Sequence, residues 1–231
     1  MPAFQSADAY GRFAHAVTWS TRYVRDNQAN GFLDTLAREA EGRVDVIPTR
    51  SILWRAQLGH DWEQVREDDR VVAEVPGPFP SERMKPLRDR AREGRANPKG
   101  IPYLYVSTHR DTALAEVRPW VGSLVSVAQL RIDRDLRLVN CTEDSKRKHF
   151  IDGTPPEYWD TAVWCDIDAA FSRPVTATDE HPDYIPTQII AECSRSAVSM
   201  VSRTEVPLAP ATTSFSSMST LHILSTAPST S

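Results

Sequence analysis

The amino-acid sequence predicts an α/β (α+β) fold, a mixed sheet flanked by helices, and three observations carry that expectation. Apolar residues recur at helical spacing across residues 6–40 and again across 155–174. The stretches between them are short, rich in β-branched and aromatic residues, and bounded by Gly, Pro and Asn, which is strand composition. At 231 residues the chain is long enough for one sizeable domain around a single core.

Taken in order, Phe13, Val17 and Val24, then Phe32, Leu33 and Leu36, mark two short amphipathic helices with a break near "DNQANG". "IPTRSILWRA" reads as a strand ending near Arg55. The four prolines of "EVPGPFPSERMKP" forbid a central strand and mark a surface loop. Residues 82–99 carry seven basic and three acidic side chains, the pattern of a solvated cationic helix face. "IPYLYVS" is a short strand. Asp111 is placed to cap the helix after it, with Ala113, Leu114, Val117 and Trp120 as the apolar stripe and Glu116 about 100° off Val117.

"SLVSVAQLRID" and "LRLVNCT" read as consecutive strands. "PPEYWDTAVWCDIDAAFSRP" has a proline-primed helix start with Trp159, Val163 and Ile167 in register, and "YIPTQIIAE" begins a further helix. Beyond Glu192 the composition changes: of the last 39 residues 17 are Ser or Thr, one is acidic and none is glycine. Such a stretch lacks turn chemistry and apolar periodicity and reads as a disordered tail. The expected organisation is an N-terminal helical extension over 1–46, a main unit over 47–192 and an atypical tail over 193–231.

Lys and Arg total 27 against 31 Asp and Glu, a formal net charge of −4, so no global basic field favours nucleic acid. Cys141, Cys165 and Cys193 are odd in number and lack a CxxC pair, which argues against a disulfide framework and a cysteine-based zinc site. His60, His109, His149 and His181 show no ligand spacing, so no metal is expected. No apolar run approaches the roughly 20 residues that span a bilayer, and the expectation is a cytoplasmic protein. GxGxxG, P-loop, HExxH and GxSxG signatures do not occur.

Three residues stand out on chemical grounds. Arg55 ends an apolar stretch behind Trp54, where a buried guanidinium needs a carboxylate, a carbonyl or a phosphate as partner. Tyr103 and Tyr105 alternate with Leu104, so both rings face one side of a strand, either as core or as a stacking surface. Glu116 is either a solvated helix residue or a carboxylate aimed at a pocket.

Together these segments resemble a known family. "ILWRA", "ANPKGIPYLYVST", "TALAEV" and "YIPTQIIAE", in that order, are similar to the RES domain over roughly residues 47–192. The resemblance implies a compact ADP-ribosyltransferase-like mixed sheet and action on NAD as substrate, by hydrolysis, phosphorolysis or ADP-ribosyl transfer to a protein. It also implies a toxin role, inhibited by an antitoxin partner with an Xre-type helix-turn-helix. On the matching positions, Arg55, Tyr105 and Glu116 are the expected catalytic residues. Arg55, Tyr105, Arg95, Asn97 and Gly100 are the expected NAD-binding residues.

The resemblance breaks near Cys193. The family's serine is expected after "YIPTQIIAE", in a segment like Gly-Phe-Asp-Gly followed by Gly-Tyr-Asn-Ile, and neither is present. Codons GCG GTT TCG ATG GTx for residues 197–201, read one base early, spell Gly-Phe-Asp-Gly, and residues 210–214 can likewise spell Gly-Tyr-Asn-Ile. A one-base shift near Cys193 is therefore expected, and no serine of the tail is assigned a role. Two other readings stay open: a catalytically inactive protein that binds its antitoxin, and an RNA-binding or RNA-cleaving module.

Overall fold

The computed structural model describes residues 1–87, 90–142, 153–172, 181–194, 199–201 and 220–223. The chain opens with α1 (Ala9–Trp19) and α2 (Asn27–Glu41); the two predicted helices are present, but the break falls at residues 20–26, ahead of "DNQANG", whose residues after Asp26 form the first turns of α2. Asp26 caps α2, its carboxylate accepting the Ala29 N–H at 2.7 Å. Val24 lies on the connecting segment and is exposed.

The predicted strand around "IPTRSILWRA" resolves into two. β1 (Val44–Ile47) ends before a turn in which Arg50 has a φ of 68°, and β2 (Ile52–Leu58) runs past Arg55. β3 (Asp61–Glu67) and β4 (Arg70–Gly77) then form a two-stranded ribbon of their own. Asp68 and Asp69 have φ values of 46° and 63°, the left-handed turn that suits a hairpin. The start of "EVPGPFPSERMKP" is therefore edge strand rather than loop. Pro76 is tolerated there because a two-stranded ribbon leaves half its backbone donors unpaired.

β5 (Leu104–Ser107) leads into α3 (Arg110–Glu116). Here two expectations are corrected. His109, not Asp111, holds the N-cap position, and no side chain caps the helix; Asp111 sits in the first turn, at the positive end of the helix dipole. The helix also stops at Glu116, because Pro119 disfavours a helical Arg118, which adopts a φ of 45°. Trp120 consequently lies on the following loop at 82% exposure instead of in the apolar stripe.

β6 (Val125–Arg131) and β7 (Leu136–Asn140) follow as predicted. A short 3-10 turn (Pro156–Tyr158) starts α4 (Trp159–Ser172), and another (His181–Tyr184) starts α5 (Ile185–Ser194). Of the segment read as disordered, Cys193 and Ser194 complete α5, and β8 (Ser199–Val201) and β9 (Thr220–Ile223) are strands; its remainder lies outside the described residues. The main sheet has the order β6-β2-β5-β9, all neighbours antiparallel. A second sheet, β1-β7-β8, is mixed, with β8 parallel to β7. Mixed strands flanked by helices are the predicted α+β class.

Leu53, Val106 and Leu138 form a small core that joins the two sheets. The larger core lies among the helices: Val163, Ile167 and Phe171, spaced by four on α4, are fully buried with Phe13, Val17, Phe32, Leu36 and Ile190. Each such side chain contributes about 1.5–3 kcal/mol of burial. Asp160 fixes the N-terminal segment to α4 by accepting the Ala3 and Phe4 N–H groups at 3.0 Å. No helix among the described residues is long and apolar enough to cross a membrane.

Candidate functional site

β2 and β5 share a single aligned pair, Trp54 opposite Ser107, whereas β2 and β6 stay in register from Ile52 to Leu58. The two strands splay beside that pair, and α3 packs across the gap. A cavity of about 280 Å³ results, lined by Trp54, Arg55, Tyr105, Ser107 and Glu116, with Gly94 and Arg95 from the loop before β5. That is close to the lower end of the roughly 300–1,000 Å³ usual for small-molecule pockets.

Of the residues singled out in the sequence, Arg55, Arg95, Tyr105 and Glu116 line this one cavity. Asn97 and Gly100 are not among the lining residues. Asn97 is buried directly behind Tyr105, whose hydroxyl donates to Asn97 Oδ1 at 2.6 Å and accepts the Ala96 N–H at 3.2 Å. Gly100 is exposed, with a φ of 90°, and its N–H donates to Ala91 O at 3.0 Å.

Arg55 is half-buried. With the Gln57 amide oxygen turned towards it, Nε donates at 3.2 Å and Nη2 at 2.8 Å. Its Nη1 is buried with no hydrogen-bond partner among the described residues. Burial, and secondarily the Arg83 guanidinium, hold Arg55 below its ordinary pKa, the condition of a cation short of an anion. Arg95 is lowered by burial too, offset by Tyr184, Glu116 and Tyr105, and its guanidinium donates to Phe171 O. Glu116 is exposed at the cavity mouth, near enough to Arg95 to act on it electrostatically.

Burial pushes the Tyr105 phenol up to about 12, against the Ala96 N–H and Arg95, which favour its ionised form. The hydroxyl is therefore neutral and turned into the loop, and the ring is what Tyr105 presents to the cavity.

Several residues that position this site escaped the sequence reading. Gly94 is required sterically: a Cβ there would come within 2.7 Å of both Asn97 Oδ1 and the Tyr105 hydroxyl. Gln188 Nε2 donates to Gly94 O at 2.9 Å, Asn97 O at 3.2 Å and Glu93 Oε1 at 3.1 Å. Thr187 Oγ1 donates to Arg95 O at 2.6 Å. The polar pair inside "YIPTQIIAE" thus holds the 93–97 loop from α5. Two polar residues beside a proline in an otherwise apolar helix were the available signal. Among the described residues, no grouping of His, Cys, Asp and Glu could hold a metal ion.

A scan against protein families matches the RES domain over residues 52–203, well over half of the chain. The chain belongs to the RES family. The matched region contains every lining residue of the cavity and runs ten residues or so past Glu192, into the segment where the resemblance weakens. RES domains are associated with toxin–antitoxin systems, with Xre-type antitoxins and with chemistry on NAD. Searches of curated proteins and of solved structures gave no match.

Proposed function

We propose that the cavity binds NAD and that the chain cleaves the nicotinamide–ribose bond, as a toxin whose partner is an Xre-type antitoxin. The observation that carries this is the convergence of Arg55, Tyr105 and Glu116 on one cavity, with the Arg55 Nη1 donor unspent. A pyrophosphate supplies the missing acceptor: guanidinium–phosphate hydrogen bonds gain strength where water is partly excluded. Gly94 supports the reading indirectly, since a Cβ there would displace Asn97 Oδ1 and the Tyr105 hydroxyl, which set the ring against the cavity.

The chemistry follows from charge development. As the C1′–N bond breaks, its electron pair leaves with the ring, which departs as neutral nicotinamide, and the ribose takes on oxocarbenium character. The Glu116 carboxylate stabilises that charge. The Tyr105 ring orients a planar leaving group and, being neutral, does not oppose its departure. A nucleophile then donates its own pair to C1′ and gives up a proton. Water, phosphate or a side chain of a target protein each complete the same step, giving hydrolysis, phosphorolysis or ADP-ribosylation.

Titration calorimetry with NAD and with ADP-ribose tests the binding half of this reading. Both ligands are expected to bind the wild-type chain, and Arg55→Gln is expected to weaken both by at least tenfold. Equal affinity in the variant would remove Arg55 from the site. An inactive, antitoxin-binding protein is the alternative when NAD binds without turnover.

A further inference from the structure

Ser107 is 1% exposed, yet it lines the cavity. Its Oγ accepts the His109 N–H at 3.1 Å, and among the described residues nothing accepts its hydroxyl hydrogen. A buried hydroxyl with an unspent donor is expensive unless a ligand completes it. The His109 bond occupies one lone pair of the hydroxyl and leaves its hydrogen unspent beside the cavity.

The neighbours say what kind of acceptor it meets. Tyr105 and Ser107 are two residues apart on β5, on the same face and about 6.6–6.8 Å apart along the strand. Tyr105 offers only a ring, because its hydroxyl is committed to Asn97 and Ala96. Trp54 stands directly opposite Ser107. An aromatic surface followed by a buried neutral hydroxyl suits a planar heteroaromatic ring that carries a carbonyl substituent. Of the two guanidiniums that line the cavity, Arg55, with its unspent Nη1, is left for the anionic part of the ligand.

We infer that Ser107 reads the carbonyl oxygen of the leaving base, so that this serine sets the specificity for a ring bearing a carboxamide. The inference rests on the proposed reading of the cavity as an NAD site. Ser107 lies on β5, far along the chain from the tail in which the family serine is expected, so the role is additional to that one.

The test compares NAD with its thionicotinamide analogue, whose sulfur is a weak acceptor, by kcat/KM for wild type, Ser107→Ala and Ser107→Cys. Alanine keeps the shape, and the exposed backbone at His109 regains a partner from water. Cysteine nearly preserves the volume with a weak donor, so it serves if the alanine variant fails to fold. The preference for NAD over the analogue is expected to shrink about 5- to 10-fold in Ser107→Ala, with an intermediate value in Ser107→Cys. A merely structural role would lower both substrates together and leave the ratio unmoved. An unchanged ratio in both variants, with NAD still consumed by wild type, overturns the role of Ser107 alone. A wild-type chain that neither binds nor consumes NAD overturns the reading of the cavity and this inference with it.

Discussion

The phenol of Tyr105 donates a 2.6 Å hydrogen bond to Asn97 Oδ1, so the aromatic wall of the cavity is fixed from behind by a residue that does not line it. Asn97 in turn donates from Nδ2 to the carbonyls of Arg92 at 2.9 Å, Pro98 at 3.2 Å and Ile101 at 3.0 Å. Asn97→Ala removes the hub and strands buried acceptors. It is expected to cost about 1–3 kcal/mol in urea denaturation and to lower NAD turnover in the same protein. Gly94→Ala is expected to reduce turnover as well, since its methyl group displaces the same pair of atoms.

Gln188 acts on the loop from the opposite side. Its one amide nitrogen serves three acceptors, all on residues 93–97. Gln188→Glu replaces the donors by a carboxylate that faces those acceptors. The expected result is a loss of several kcal/mol in stability and a large rise in KM for NAD. Gln188→Leu, which carries no charge, is expected to fall between wild type and Gln188→Glu on both measurements.

Tyr105 also gives the protein an alkaline limit. In the unfolded chain the phenol ionises near 10, whereas the folded protein holds it neutral up to about 12. A raised folded value contributes stability that is fully present below pH 10 and is lost as pH rises towards 12. The loss from this one group is on the order of 3 kcal/mol. Tyr105→Phe is expected to flatten that part of the stability profile relative to wild type, as read from denaturation midpoints across this pH range. Parallel profiles would show that the ring is not held as described.

The departure of the tail from the family pattern is testable in the gene. Reading the coding DNA one base early from about codon 193 is expected to spell Gly-Phe-Asp-Gly near codons 197–201 and Gly-Tyr-Asn-Ile near 210–214. Any other translation of that frame removes the one-base shift as the origin of the tail.

Much of the architecture was legible because it is written in local chemistry. The apolar spacing on α4 and the β-branched runs of β2 and β6 depend on near neighbours. What escaped depends on partners distant in sequence or on a single backbone angle. The β3–β4 ribbon is exposed on both faces, so it shows no hydrophobic alternation to read. The end of α3 is set by Pro119, which outweighed an apolar stripe that continued on paper to Trp120. Arg55, Tyr105 and Glu116 were identifiable as residue types in a familiar order, and the structure places them around one cavity. Thr187, Gln188 and Asn97 were not identifiable as supports, because their significance is the carbonyl each one reaches across the fold.

Release of nicotinamide from NAD, followed for the full chain and for Glu116→Gln, bears most directly on the whole assignment. The substitution removes a charge at an exposed helix end and keeps the shape, so the fold is expected to persist. Steady release by wild type with a loss on the order of 100-fold or more in Glu116→Gln is the expected result. Equal rates in the two proteins, with NAD bound by both, would contradict it.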